Sequence, residues 1–179
     1  MLAIGGSELQ IIIDLYEYNS YVRKKYLKAI FDKIPEEERY KDRGTSFPTI
    51  VDIFVHMIDN YRFWFLYVYP HKIASFQRLR GEKRHTLSEL IEENEKIDSY
   101  VLNFIRNLKP SDLDNEFSAE CRRYGTVMKL DLRQMLIHII EEELQHIGEM
   151  NALFWQMDIE PPITEYMDWV YAKHKGLGA

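Results

Sequence analysis

The sequence predicts an all-α fold, a four-helix bundle formed as a single domain by residues 1–179. Apolar residues recur at three- and four-residue steps through four long stretches, which is the period of an amphipathic helix. Capping residues and prolines bound these stretches. The connections between them are too short to divide the chain, and 179 residues is an ordinary length for one hydrophobic core.

Local signals give the bounds of the four predicted helices. Ser7 is a candidate N-cap for the first helix. Pro48 falls in the first turn of the second helix, where its missing N–H is tolerated. Thr86 and Glu89 form a capping box at the start of the third helix, and Asp131 caps the fourth. The predicted helices span residues 7–34, 46–69, 86–108 and 132–157.

Shorter elements are predicted on either side of the fourth helix. Residues 115–130 can form a short β-hairpin that turns at Tyr124-Gly125. Pro161-Pro162 breaks the chain, and residues 164–173 are predicted to form a short C-terminal helix. Between the second and third helices, residues 71–85 form a basic connector.

Composition argues against several classes of function. The net charge of −6 disfavours nucleic acid as a partner, because phosphate binding needs a basic surface. Cys121 is the only cysteine, so no internal disulfide can form and a reducing compartment fits. The N-terminus has no basic and apolar leader, and no apolar run has the length of a membrane span. The predicted location is therefore the cytoplasm, with no membrane partner.

The fourth helix carries a candidate metal-binding pair. Glu142 and His146 are four residues apart, so they lie on one helical face about one turn apart and can reach one ion. The third ligand must come from another helix, and His56 is the best candidate because it sits in the middle of the second. Two imidazoles and a carboxylate suit a divalent transition ion and leave positions open for water or substrate.

Other interpretations of these residues stay open on spacing alone. The run from Glu141 to Glu143 could be a solvated charged face, and His146 could be a core histidine. Periodicity places Glu143 nearer the centre of the apolar stripe than Glu142, so the helical angle does not decide between them. Glu143 and His146 also spell the Glu-x-x-His unit of di-iron bundles, but the second helix has no matching unit, which disfavours a di-iron centre.

The chain resembles the DinB/YfiT-like superfamily over nearly its whole length. The stretch from Gly44 through His56 to Trp64 resembles the glycine, helix start and His–Trp second helix of that superfamily. Residues 138–149, which read HIIEEELQHIGE, resemble its fourth-helix signature. Further pieces of the resemblance are Tyr18-Asn19 in the first helix and Pro161-Pro162 with Tyr166 and Trp169 near the C-terminus.

The resemblance implies an up-down-down-up bundle with a divalent metal site. Residue by residue, the implied ligands are His56, Glu142 and His146, which favours Glu142 over Glu143. The commonest form of the superfamily has His at the position of Glu142. A branch similar to mycothiol-dependent maleylpyruvate isomerase has Glu there, so the implied ion could be Zn, Ni, Mn or Fe.

Residues around the implied ligands could shape a pocket. His138 is roughly 12 Å along the helix axis from His146, too far to share its ion, so it either orients Glu142 or fills the core. Asn19 and Asn60 could line the same pocket, while Tyr61 fits an ordinary packed polar residue. Glu143 could contact the ligands or line the pocket without binding the ion itself. The arginines of the connector, Arg78, Arg80 and Arg84, could face an anionic substrate, but a solvated loop explains them better.

The resemblance also indicates a reaction class. The superfamily includes thiol-dependent S-transferases and isomerases, in which a metal ion binds a low-molecular-weight thiol and directs it at a small electrophile. The same ion could serve a hydrolase, or the bundle could be a non-enzymatic metal-binding or stress-response module. Catalytic residues other than the ligands are not identified. Exposed aromatic residues such as Trp64 and Trp155 permit a homodimer, which is common in the superfamily.

Overall fold

The computed structural model describes residues 4–81, 84–121 and 124–176, and within them the side chains from Glu8 onward. This part of the chain is mostly helical, as predicted. It contains the helices α1 (Ile4–Lys33), α2 (Glu36–Arg39), α3 (Ile50–Arg62), α4 (Leu87–Arg106), α5 (Leu132–Gln156) and α6 (Tyr166–Lys175), a π-helix (Phe63–Val68), a 3-10 turn (Pro110–Asp114) and the strands β1 (Glu116–Cys121) and β2 (Thr126–Asp131). No helix in these ranges has the length and apolar character required to cross a membrane.

Two predicted helix starts are confirmed in atomic detail. The Thr86 hydroxyl accepts from the backbone N–H of Glu89 at 3.3 Å, and the Glu89 carboxylate accepts from the Thr86 N–H at 2.8 Å. Asp131 and Gln134 form the same reciprocal pair at the start of α5. These bonds satisfy amide groups that have no partner inside the helix. They fix where α4 and α5 begin.

The predicted starts of the first two long helices are wrong. α3 begins at Ile50 and is capped by Thr49, whose hydroxyl accepts from Asp52 N–H at 3.1 Å, so Pro48 lies before the helix. Ser46 is not a helix start, because its N–H and hydroxyl donate to Glu149 of α5 instead. α1 begins at Ile4, so Ser7 lies inside a helix, where it cannot act as an N-cap.

The predicted second helix also changes its geometry before it ends. The α-helical part stops at Arg62, and Phe63–Val68 continue as a π-helix. π-helical segments are rare and occur mostly at functional sites. This one turns a series of aromatic rings toward the connector that follows it.

The predicted hairpin is confirmed as a two-stranded antiparallel sheet. Its register runs from Glu116 opposite Asp131 to Cys121 opposite Thr126. Gly125 at the turn has a φ of 61°, a left-handed conformation that glycine adopts without strain. Arg122 and Arg123 lie outside the described residues. β2 leads directly into α5, so the hairpin is anchored at the start of that helix.

The hydrophobic core lies between the four long helices. α1 packs against α3, α4 and α5, and α3 packs against α4 and α5. Burial of a large apolar side chain stabilises a fold by roughly 1.5–3 kcal/mol, so this interior supplies the main driving force. Among the largest side chains that are fully buried are Tyr16, Tyr26, Phe54, Phe65, Phe154, Ile30 and Ile53.

A buried polar network interrupts this apolar core. Arg23 of α1, only 2% exposed, donates from Nη1 to Oε2 of Glu143 at 2.6 Å and from Nη2 to Asp98 of α4. Asn19 donates to Glu143 at 3.0 Å, and the Tyr61 hydroxyl of α3 donates to the same carboxylate. Charged groups are tolerated in a core only when they are paired and hydrogen-bonded in this way.

We expect Arg23→Ala to destabilise the fold by about 3 kcal/mol or more, because two carboxylates would stay buried without their cation. Urea denaturation followed by circular dichroism measures this change. The neighbouring Lys24 is exposed, so Lys24→Ala is a control expected to change the free energy of unfolding by less than about 0.5 kcal/mol. A loss below about 1 kcal/mol for Arg23→Ala would show that the network does not support the core.

Candidate metal centre

The structure brings together the three residues that the sequence suggested as metal ligands. His56 lies on α3, and Glu142 and His146 lie one turn apart on α5. The Nε2 atom of His56 is 3.5 Å from Oε2 of Glu142, and the His56 and His146 ring centroids are 4.8 Å apart. One ligand atom from each of the three residues lies within 4.8 Å of the other two. Each side chain is partly buried, so the cluster could hold a metal ion that solvent can still reach.

An aromatic side chain holds both imidazoles in place. Phe47, in the segment before α3, stacks on His56 with ring centroids 4.2 Å apart and contacts the His146 ring at 5.5 Å. This restricts the imidazole orientations, so less rotational freedom is lost when an ion binds.

A carboxylate that is hydrogen-bonded to the imidazole orients His146. The Nδ1–H of His146 donates to Oε2 of Glu149 at 3.1 Å, and the Ser46 N–H donates to Oε1 of the same carboxylate at 2.6 Å. Partial burial alone would raise the pKa of Glu149, but the hydrogen bonds from Ser46 and His146 outweigh burial and lower it. Glu149 therefore stays ionised and fixes the tautomer of His146 that leaves Nε2 free for a metal.

The donor set fits a divalent transition ion. The neighbouring His56 imidazole lowers the pKa of Glu142 despite partial burial, so this carboxylate is ionised and available as a ligand at neutral pH. Ligand atoms bound to zinc lie about 2.0–2.2 Å from the ion. A spacing of 3.5 Å between Nε2 of His56 and Oε2 of Glu142 is what two such ligands adopt around one ion. Imidazole and carboxylate together also suit Ni, Mn or Fe.

A cavity of about 830 Å³ opens beside these ligands, and His56 and Glu142 form part of its wall. Its size falls within the usual range for small-molecule sites. One side is aromatic and comes from the π-helix and the connector. Another side comes from the hairpin and α5. Further lining residues are Phe63, Trp64, Tyr67, Phe76, Arg78, Arg80, Cys121, Met128 and His138.

The other predicted site residues divide into two groups. His138 and Asn60 line the cavity, and His138 packs edge-on against Trp64 at 5.3 Å. His138 is exposed, so its interpretation as a core side chain is wrong. Asn19 and Glu143 belong to the buried network around Arg23 and are not among the described residues that line the cavity.

Sequence reasoning missed Phe47, Ser46 and Glu149. Glu149 carried a signal, because it follows His146 by three residues and therefore lies on the same helical face. Phe47 and Ser46 carried none, because their contacts with His146 and Glu149 join segments about 100 residues apart along the chain.

Comparison with known families identifies the class of this chain. The DinB family matches residues 7–176, so the chain belongs to the DinB family, and the resemblance noted in the sequence is confirmed. A search of curated proteins found no match.

We expect Glu149→Gln to weaken zinc binding by roughly 10–100-fold, because His146 would lose the charged acceptor that orients it. Competition with a chromogenic zinc chelator measures the affinity. Glu141→Gln is the matched control, because Glu141 is an exposed α5 carboxylate that accepts from Gln145. Equal zinc affinities for the two variants would mean that Glu149 has no role in metal binding.

Proposed function

We propose that His56, Glu142 and His146 bind a divalent metal ion and that the protein is a metal-dependent enzyme acting on a small molecule in the adjoining cavity. The observation that carries the proposal is the convergence of these three side chains beside a largely apolar cavity, whose wall includes His56 and Glu142. Family membership supports it, because the metal ligands implied by the resemblance are the same three residues.

We also infer that the four long helices form the up-down-down-up bundle implied by the resemblance. Contacts between α1 and α5 advance together along both helices, from Tyr16 with Leu136 to Tyr26 with Asn151, which supports a parallel pair. Contacts between α1 and α4 run in opposite directions: Ser20 meets Asp98, while Glu17 meets Arg106. α3 and its π-helical continuation likewise run opposite to α5, since His56 meets Glu142 while Trp64 meets His138.

The proposed reaction class is a thiol-dependent S-transfer or isomerisation. A bound divalent ion with open positions lowers the pKa of a coordinated thiol and so supplies a nucleophile at neutral pH. The chain's own residues hold that arrangement: Glu149 fixes His146, and Phe47 restricts His56. The aromatic wall can hold an apolar electrophile beside the ligands and exclude water from it.

A homodimer stays a prediction. Trp155 is 60% exposed on α5 and remains available for such a contact. Trp64 is partly buried and lines the cavity, so it does not serve as an exposed anchor. The cytoplasmic location also stays a prediction.

We expect the purified protein to carry near-stoichiometric metal, and His56→Ala and His146→Ala to lose it while staying folded, because each substitution removes one of three ligands. Elemental analysis measures the metal, and circular dichroism checks the fold. His174→Ala is the matched control, because His174 is exposed on α6. A wild-type protein that neither contains metal nor takes up zinc, nickel, manganese or iron would refute the metal site.

We expect the metal-loaded protein to accelerate conjugation of a low-molecular-weight thiol to 1-chloro-2,4-dinitrobenzene, and His146→Ala to lose this activity with its metal. The change in absorbance on thioether formation gives the rate, with several thiols tested in parallel. Hydrolysis of p-nitrophenyl esters without any thiol would identify a hydrolase instead. Metal binding with neither activity would favour a non-enzymatic metal-binding module.

A further inference from the structure

The connector between α3 and α4 is held against the cavity by a buried carboxylate. Asp59 of α3 is 4% exposed and accepts from the backbone N–H groups of Leu79 at 2.9 Å and Arg80 at 3.1 Å. It also pairs with Arg62 at 2.8 Å. Because three donors converge on this one side chain, the backbone around residues 79–80 has a fixed position relative to α3. The backbone from which the Arg80 side chain starts is therefore placed by the fold.

Two of the three connector arginines face the cavity. Arg78 and Arg80 line it, and the Arg80 guanidinium lies 4.4 Å from the Phe47 ring centroid. Phe47 in turn stacks on the proposed metal ligand His56, so the same ring contacts both Arg80 and a proposed ligand. Arg84 lies over Tyr40 and is not among the described residues that line the cavity.

The cavity lining also carries the acidic residues Asp59, Glu120 and Glu142. Among the described residues, no carboxylate forms an ion pair with Arg78 or Arg80. Asp59 is occupied by Arg62 and backbone amides, and Glu142 faces His56. Glu120 lies exposed at the end of β1 and has interactions of its own. Two guanidinium groups thus line a cavity that also has aromatic lining, an arrangement that suits an anionic group on an apolar body.

We propose that Arg78 and Arg80 form a subsite for the anionic end of the ligand, so that the cavity selects small molecules with an apolar or aromatic body and a carboxylate, sulfonate or phosphate. The aromatic rings of Phe63, Trp64 and Phe76 hold the body of the ligand. This inference rests on the proposed function where the reaction of the bound molecule is concerned. Binding of the anionic molecule itself does not require the metal.

The test compares two fluorescent probes with the same aromatic body. 1-Anilinonaphthalene-8-sulfonate carries a sulfonate, and N-phenyl-1-naphthylamine lacks it. Fluorescence titration of the wild-type protein, both chelator-treated and zinc-loaded, gives the Kd of each probe. We expect the double variant Arg78→Gln/Arg80→Gln to bind the sulfonate probe about tenfold more weakly and the neutral probe within about twofold of wild type.

The matched control is the double variant Lys24→Gln/Arg84→Gln, which removes two positive charges that do not face the cavity. It is expected to bind both probes as the wild type does. The proposal is overturned if the Arg78→Gln/Arg80→Gln variant keeps wild-type affinity for the sulfonate probe. It is also overturned if both probes weaken equally, or if the control loses as much affinity.

Metal content separates this inference from the proposed function. A chelator-treated protein that still distinguishes the two probes supports the anionic subsite even when no metal is found in the purified protein. A zinc-loaded, catalytically active protein that does not distinguish them refutes the subsite and leaves the metal site standing.

Discussion

The rest of the structure depends on the buried contacts of the Arg23 guanidinium. It starts from α1 and reaches Asp98 on α4 and Glu143 on α5, while Tyr61 from α3 donates to the same Glu143 carboxylate. All four long helices therefore meet at one buried charge. Because an α-helix has 3.6 residues per turn, successive side chains point about 100° apart. Since Glu143 points into the core, the preceding residue, Glu142, points about 100° away from it. That direction is toward His56 of α3.

The features that the sequence predicted are those set by short-range rules. The capping box of α4 and the Asp131 cap of α5 need only residues that are three apart, and both are present. The pairing of Glu142 with His146 follows from helical periodicity in the same way. His56 was suggested by its position in the middle of the second predicted helix, and the family resemblance supported it. Periodicity could not choose between Glu142 and Glu143, because the choice depends on Arg23, which belongs to a different helix.

The features that escaped prediction depend on contacts between distant parts of the chain. Ser46 has the composition of a helix start, but its hydroxyl is bonded to Glu149, 103 residues further on. The change from α- to π-helix at Phe63 leaves the apolar pattern nearly intact, so periodicity does not reveal it. Arg23 did leave a signal, since it lies on the same helical stripe as Tyr16 and Leu27. A long cation on an apolar stripe usually has a buried partner.

The hairpin helps to line the cavity but takes no part in the proposed metal site. It contributes Ala119, Cys121 and Met128 to the cavity wall, but none of the three proposed metal ligands. Its two strands pair only with each other within the described residues, and Asp131 is the N-cap of α5. Residues could be gained or lost at the tip without shifting the register of any long helix. Relatives could therefore reshape the cavity for new molecules through this one peripheral loop while the ligand geometry is inherited unchanged.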